Sequence, residues 1–390
     1  MTRLPWQVPQ KHLGVITGEK MISLNFNGSR PYTLGVELEL QLLDKKNLNL
    51  ASRAEKILKA SLKGNRITQE FMQCTIELQT GVCDSVSSIE RELKETFVLA
   101  EDISEPEGVL LYAGGLHPFA RPAEQRISKN PRYRHIMDEL QLAGEEFIAH
   151  GMHVHTGVKD GDTAIRVCDI MQTYLPLLLA LSASSPYFKG RDTGFASYRT
   201  KLFEALPLAG ISTFSGNWQG YLDEVNLLEK RKIIKSIRDL WWDIRPSPGF
   251  GTVEVRVCDM PSRFSHTLCL TGIIQAMVAF IAESDINSMP PNLNLLRANK
   301  WQAARHGLRG RFCDIYGLMQ KPEQSLASSV TDMLEHISPF AKRLGATPYI
   351  DTASRIISDG NGTDIQRRLA SKGKSLREII STTGKDYWLP

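Results

Sequence analysis

The chain reads as an α+β protein: a sheet charged on one face, followed by a C-terminal half that is almost entirely helical. Two observations predict this. Four separated stretches carry ionisable residues at every second position: Val36-Glu37-Leu38-Glu39-Leu40, Ile76-Glu77-Leu78, Met152-His153-Val154-His155 and Val253-Glu254-Val255-Arg256-Val257. Successive strand side chains point to opposite faces, so each stretch buries its apolar residues on one side and holds its charges on the other. From Ser265 onward, the apolar spacing is helical over about 265–283, 292–307, 323–343, 348–358 and 363–382. Strands concentrated early and helices late are the pattern of an α+β fold.

In chain order, residues 1–30 hold Pro5, Pro9, Gly14, Gly18 and Gly28 and read as an N-terminal arm. A strand follows from about Tyr32 to Leu43, a helix from Ala51 to Leu62, and then the Glu77 strand. Asp84 or Ser85 is placed to cap a helix running to about Glu101. Val109 to Tyr112 reads as a strand, and Tyr133 to Ile148 as a helix leading into the histidine strand. Ile165 to Ala183 has helical spacing that Pro176 should kink or break. Ser184 to Ser215 is a long polar segment punctuated by Gly and Pro, the kind of loop that is more often functional than decorative. Asp223 to Ile237 reads as a helix. Ile244 to Gly251, with Pro246 and Pro248, reads as a rigid turn before the Glu254 strand. The charged strands span 36 to 257, so a domain cut there would divide the charged face. Residues 31–390 are therefore expected to form one catalytic domain.

Composition excludes several classes. Of 390 residues, 47 are basic and 43 acidic, and no run of like charge suggests a nucleic-acid arm. Six cysteines without a Cys-x-x-Cys pair suit a reduced, cytoplasmic chain with thiols packed as small apolar groups. The longest uncharged apolar stretch, Thr267 to Ala282, is too short for the roughly 20 residues that span a bilayer and is expected as a buried helix.

If the four strands share a sheet, one face gathers Glu37, Glu39, Glu77, His153, His155, Glu254 and Arg256. Any one of these pairs alone would suit an ordinary solvated sheet face, or, for Glu254 and Arg256, a surface ion pair. Four recurrences, each flanked by apolar residues, favour a built site. Clustered carboxylates repel and are costly to desolvate unless cations compensate them, so a bound metal is expected. Acid-rich and sulfur-poor, the site suits Mg²⁺ or Mn²⁺ better than a structural zinc. Magnesium commonly bridges carboxylates to substrate phosphates, yet the chain has no Gly-x4-Gly-Lys-Ser/Thr loop. Arg256 is the natural phosphate partner, because its planar fork matches such oxygens. Glu70, seven residues before Glu77, is a further candidate carboxylate.

These motifs, in this order, resemble the glutamate–cysteine ligase type 2 family of carboxylate–amine ligases. The pieces that carry the resemblance include Leu34-Gly35-Val36-Glu37-Leu38-Glu39, the Glu70 to Glu77 spacing, Gly114-Gly115-Leu116-His117-Pro118-Phe119, Gly151-Met152-His153-Val154-His155, Asp243-Ile244-Arg245-Pro246-Ser247-Pro248 and Trp301-Gln302-Ala303-Ala304-Arg305-His306-Gly307. The resemblance implies a curved antiparallel sheet wrapped by helices, similar to the catalytic domain of glutamine synthetase. It implies ATP as co-substrate and an acyl-phosphate intermediate, with L-glutamate and L-cysteine as the default substrates. By position it implies Glu37, Glu39, Glu70, Glu77, His153 and Glu254 as metal ligands. Glu254 and Arg256 would be catalytic, and Arg199, His155 and Arg245 substrate-binding. Relatives often carry an acid where this chain has Leu38, which alternation turns away from the site, and Thr156 replaces a more usual apolar residue. A homodimer is expected, with small-molecule partners and neither nucleic acid nor membrane. Three alternatives stay open: a metal-dependent hydrolase, an ATP-binding regulatory protein with negligible turnover, and the same chemistry with a different amino acid or amine.

Overall fold

The computed structural model describes residues 24–60 and 66–389. The strands are β1 (Leu34–Asp44), β2 (Ile67–Gln69), β3 (Thr75–Gln79), β4 (Val109–Tyr112), β5 (Met152–Gly157), a short hairpin of β6 (Tyr187–Phe188) and β7 (Arg191–Asp192), then β8 (Ile244–Ser247), β9 (Thr252–Val255), and a second small hairpin of β10 (Arg311–Cys313) and β11 (Glu323–Ser325). Seven of them form one antiparallel sheet in the order β2-β3-β1-β5-β9-β8, with β4 pairing the far half of β1. The expected α+β class, an antiparallel sheet with helices around it, is what the chain adopts.

Alternation operates as the sequence predicts. Val36, Leu38, Leu40, Ile76, Leu78, Met152, Val154, Val253 and Val255 are all buried on the apolar face. Beneath them the helix Phe264–Glu283 touches β5 and the helices Val86–Ser104, Gly161–Met171 and Leu326–Arg343. This helix is long and apolar enough to cross a membrane by composition alone, but 89% of its apolar window is buried inside the protein. The largest hydrophobic cluster draws on the sheet and on the C-terminal helices together. Five cysteines pack as buried free thiols, and Cys313 is partly exposed.

Several boundaries differ for identifiable reasons. Ser85 caps Val86–Ser104 by accepting from the Ser88 N–H, one of the two candidates offered. The Pro176 region is two helices, Gly161–Met171 and Leu175–Ser182, meeting at 66°. Pro176 sits in the first turn of the second, where its missing N–H costs nothing. The expected Tyr133–Ile148 helix is Pro131–Leu140 and Leu142–Glu146, interrupted at Gln141 with φ +47°. Ile244–Ser247, expected as turn, is the edge strand β8. Pro246 is tolerated there because an edge strand has one row of backbone groups that need no partner. Only Pro248–Gly251 turns. The Ser184–Ser215 segment contains the β6–β7 hairpin and a short helix, Arg199–Phe203. Of the proposed N-terminal arm, residues 1–23 lie outside the described residues. Beyond them, Asn27 donates to the Pro248 carbonyl and Ser29 to that of Phe250, bracing the β8–β9 turn.

Candidate active site

Strand register assembles the polar face. Cross-strand pairing sets Glu39 opposite Glu77, Glu37 opposite His153, and His155 opposite Glu254, which in turn faces Arg245. Residues from four separate stretches therefore meet because they occupy matching positions in neighbouring strands. Glu70 joins them from just past β2, where its carboxylate accepts from the Phe71 N–H at 3.0 Å. All line a cleft of about 790 Å³.

Three overlapping groups each bring three potential metal-ligand atoms within 4.8 Å of one another: Glu39, Glu70 and Glu77; Glu37, Glu77 and His153; and Glu37, His155 and Glu254. The first is all carboxylate. Burial and the neighbouring Glu39 push Glu70 up to about 7, and burial with Glu70 and Glu37 pushes Glu77 well above the usual carboxylate range. Thr68 and Gln79 donate to Glu77 at 3.1 and 2.7 Å. Among the described residues, no cationic side chain is seen in ion-pair contact with Glu70 or Glu77. Such a donor set fits a hard divalent cation, whose charge would remove the repulsion that raises these groups.

The middle of the face uses histidine. Glu37 lies 3.1 Å from His153 Nδ1 and 3.5 Å from His155 Nε2. Burial would raise Glu37, but these two partners hold it far below its ordinary value. Glu39 accepts from the Gly151 N–H at 2.5 Å and lies 3.9 Å from His153 Nε2. Burial would lower His155, but Glu254 and Glu37 raise it instead.

At β8 and β9 the arrangement reverses. Glu254 is buried between two arginines: Arg245 donates to it through Nε at 2.8 Å, and Arg256 through Nη1. Burial opposes ionisation, yet Arg256 and Arg245 hold Glu254 well below the usual range. Arg245 also donates to the Leu240 carbonyl at 2.9 Å. Arg199 is placed at the end of the cleft beyond Arg256, with its side chain 4% exposed. It reaches the Val257 and Arg256 carbonyls at 3.4 Å each. Every predicted site residue thus lines one cleft, with Arg199 at its edge.

Sequence reasoning missed Thr252, whose hydroxyl lies 2.9 Å from His155 Nδ1. Alternation could have found it, two residues before Glu254 on the same face. It also missed Phe250 at the rim, its ring perpendicular to that of His155, and Arg132 and Tyr133, which also line the cleft. These come from a turn and a helix, where a period of two carries no signal.

The glutamate–cysteine ligase family 2 matches residues 33–383. The chain belongs to this family. It is 36% identical over 369 residues to a Gloeobacter violaceus protein named "Putative glutamate–cysteine ligase 2", covering 92% of this chain and 98% of that one. A protein of the same name from Solibacter usitatus is 34% identical, covering 89% and 91%. Among solved structures, the glutamate–cysteine ligase of Francisella tularensis, in complex with AMP, matches with a TM-score of 0.69 at 14% identity, covering 94% of this chain and 91% of that one. A bifunctional glutathione synthetase from Pasteurella multocida matches with a TM-score of 0.63 at 14% identity, covering 91% of this chain and 52% of the other. These two likenesses show a shared fold. Membership of the family makes the chain an ATP-dependent ligase that forms C–N bonds.

Proposed function

We propose that the protein joins a carboxylate to an amine at the expense of ATP through an acyl phosphate, with L-glutamate and L-cysteine as default substrates and Mg²⁺ as the metal. One observation carries this reading: a single cleft holds a carboxylate triad, Glu39, Glu70 and Glu77, beside the arginine pair Arg245 and Arg256. Phosphoryl transfer needs positive charge around the transferring group and a means of holding it in line, and little covalent help from the protein.

In this reading Glu37, Glu39, Glu70, Glu77 and His153 hold the metal, which supplies charge neutralisation for the phosphates. Glu254 reaches it only with oxygens already shared with Arg245 and Arg256, so its larger part is to hold those arginines. Arg256, fixed by Glu254, presents the rest of its fork to phosphate oxygens. Arg245 braces the β8 edge and lines the substrate space. His155 sits between Glu37 and Thr252, within reach of a substrate. Arg199 clamps a substrate carboxylate. A cytoplasmic homodimer belongs to the same proposal.

The test is ADP release from ATP and Mg²⁺ by the purified protein. It compares glutamate alone, glutamate plus cysteine, and a panel of other acids and amines, with Glu37→Gln as control. Amine-dependent ADP release that yields an amide and is lost in the variant supports the ligase. ATP-dependent thermal stabilisation with no ADP from any pair would replace it with a regulatory binding role.

A further inference from the structure

The Arg199 end of the cleft is built unlike its middle. Phe147, Phe203 and Trp241 line it, with ring centroids 5.8 Å apart for Phe147 and Phe203 and 6.0 Å for each with Trp241. They arrive from three separate segments: the stretch after the helix Leu142–Glu146, the end of the helix Arg199–Phe203, and the approach to β8. Phe203 is buried, whereas Phe147 and Trp241 keep part of their surface open along the cleft. Those open faces offer apolar aromatic surface to whatever enters the cleft.

Arg199 caps the group, its guanidinium carbon 5.4 Å from the Phe203 centroid. Its neighbours satisfy it poorly. The two backbone carbonyls lie at 3.4 Å, Asp259 at 4.0 Å, and its Nε is buried with no hydrogen-bond partner. A buried guanidinium with long contacts favours an incoming carboxylate, which can take up two of its N–H groups at once.

Glutamate does not explain the rings. It carries a charged group at each end and offers no surface that three aromatic faces would prefer to water. We propose that the Arg199 end recognises a small carboxylate with an apolar body, the carboxylate on Arg199 and the body against Phe147, Phe203 and Trp241. The inference rests on the ligase reading for its chemistry and narrows the substrate class. Two kinds of molecule share these features: an apolar α-amino acid acting as the amine, and an apolar carboxylic acid that is itself activated.

The test uses the full chain with Mg²⁺ and two readouts. The first is calorimetric binding of phenylalanine, 3-phenylpropionate and cysteine in the presence of a non-hydrolysable ATP analogue. The second is ADP release with product mass, each ligand being offered with glutamate and with ammonia. Phenylalanine or phenylpropionate should bind at least about tenfold tighter than cysteine. Trp241→Ala should remove that preference without changing affinity for the nucleotide analogue, and Trp241→Phe should restore most of it. A glutamyl amide of phenylalanine identifies the amine, and a phenylpropionyl amide identifies the activated acid. Preferred binding and turnover of cysteine, or a ligand ratio unmoved by Trp241→Ala, overturns the inference and leaves the ligase reading intact. Apolar binding that depends on Trp241, with no ADP from any pair, keeps the recognition site and sinks the ligase reading.

Discussion

Glu77 and Glu254 stand on the same face of the same sheet, 6% and 3% exposed, yet their carboxyls are driven in opposite directions. Burial penalises both charges equally in kind. The difference lies in company: Glu77 sits with Glu70, Glu37 and Glu39, whereas Glu254 is gripped by Arg245 and Arg256. One end of the cleft therefore gathers carboxylates that raise one another, the donor set that a divalent cation would suit. The other end is complete already, and its spare positive charge is available to an anionic ligand. A nucleotide bridging a metal to an arginine would satisfy both ends at once.

Removing each acid should break this contrast in opposite ways. Glu254→Gln strands two half-buried arginines, and breaking even a fully buried pair costs no more than about 3–5 kcal/mol. It should lower the melting temperature with or without Mg²⁺. Glu77→Gln should do the reverse to the metal-free protein, raising its melting temperature near neutral pH by relieving repulsion, while losing the stabilisation by Mg²⁺. Its ADP release should fall by about 100-fold or more, since even groups supporting metal ligands matter at about 10–100-fold. A Glu254→Gln protein that behaves like Glu77→Gln in both melting curves would erase the distinction between the two ends.

A pH titration sharpens the same comparison at a smaller scale. Glu70 is raised from the ordinary 4.5 to about 7. The unfolded chain then binds fewer protons than the folded one between those values, so metal-free stability should decline as pH rises from about 4.5 to about 7. His155, also raised, contributes a decline with the same sign as pH passes its elevated value. Glu37 and Glu254 are held low, so their stabilisation is present above about 4.5 and is lost only as pH falls further. Saturating Mg²⁺ should flatten the decline because it holds the carboxylates ionised. Melting temperatures across pH 5 to 8, with and without Mg²⁺, measure this, and Glu70→Gln isolates its share. Metal-free stability that climbs through the window would mean the acids are compensated after all.

The charged strands were the most legible part of the molecule, because a period of two marks both the element and the face. Glu37, Glu39, Glu77, His153, His155 and Glu254 could be placed on one surface from spacing alone, once a common sheet was assumed. What spacing could not give was which strands are neighbours. That Glu254 faces Arg245 across β8 depends on a segment whose two prolines read as turn. The aromatic group at the Arg199 end was invisible for a related reason. Phe147, Phe203 and Trp241 share no period and come from three separate segments, and only the tertiary fold brings them together. The acidic character of the site was written in the strands, whereas the aromatic group beside Arg199 lies outside them.

The smallest effect tests the seam between the two ends. His155 bridges them, with Nε2 3.5 Å from Glu37 and Nδ1 2.9 Å from the Thr252 hydroxyl. When His155 is protonated both ring nitrogens donate, so Thr252 accepts and Glu37 accepts, and the ring is fixed in orientation from both sides. Thr252→Val keeps the β-branched shape that suits β9 but removes the acceptor. A buried N–H then loses its partner, at a cost of about 1–3 kcal/mol, set against what the protein can recover by leaving His155 neutral. The His155 titration, followed by NMR of the imidazole, should therefore move to lower pH, and Glu37 should lose part of the support that keeps it ionised. Mg²⁺ affinity should change by no more than about tenfold, because Glu37 keeps His153 at 3.1 Å. If the His155 titration does not move, Thr252 is only filling space, and the carboxylates alone set the charge at the centre of the cleft.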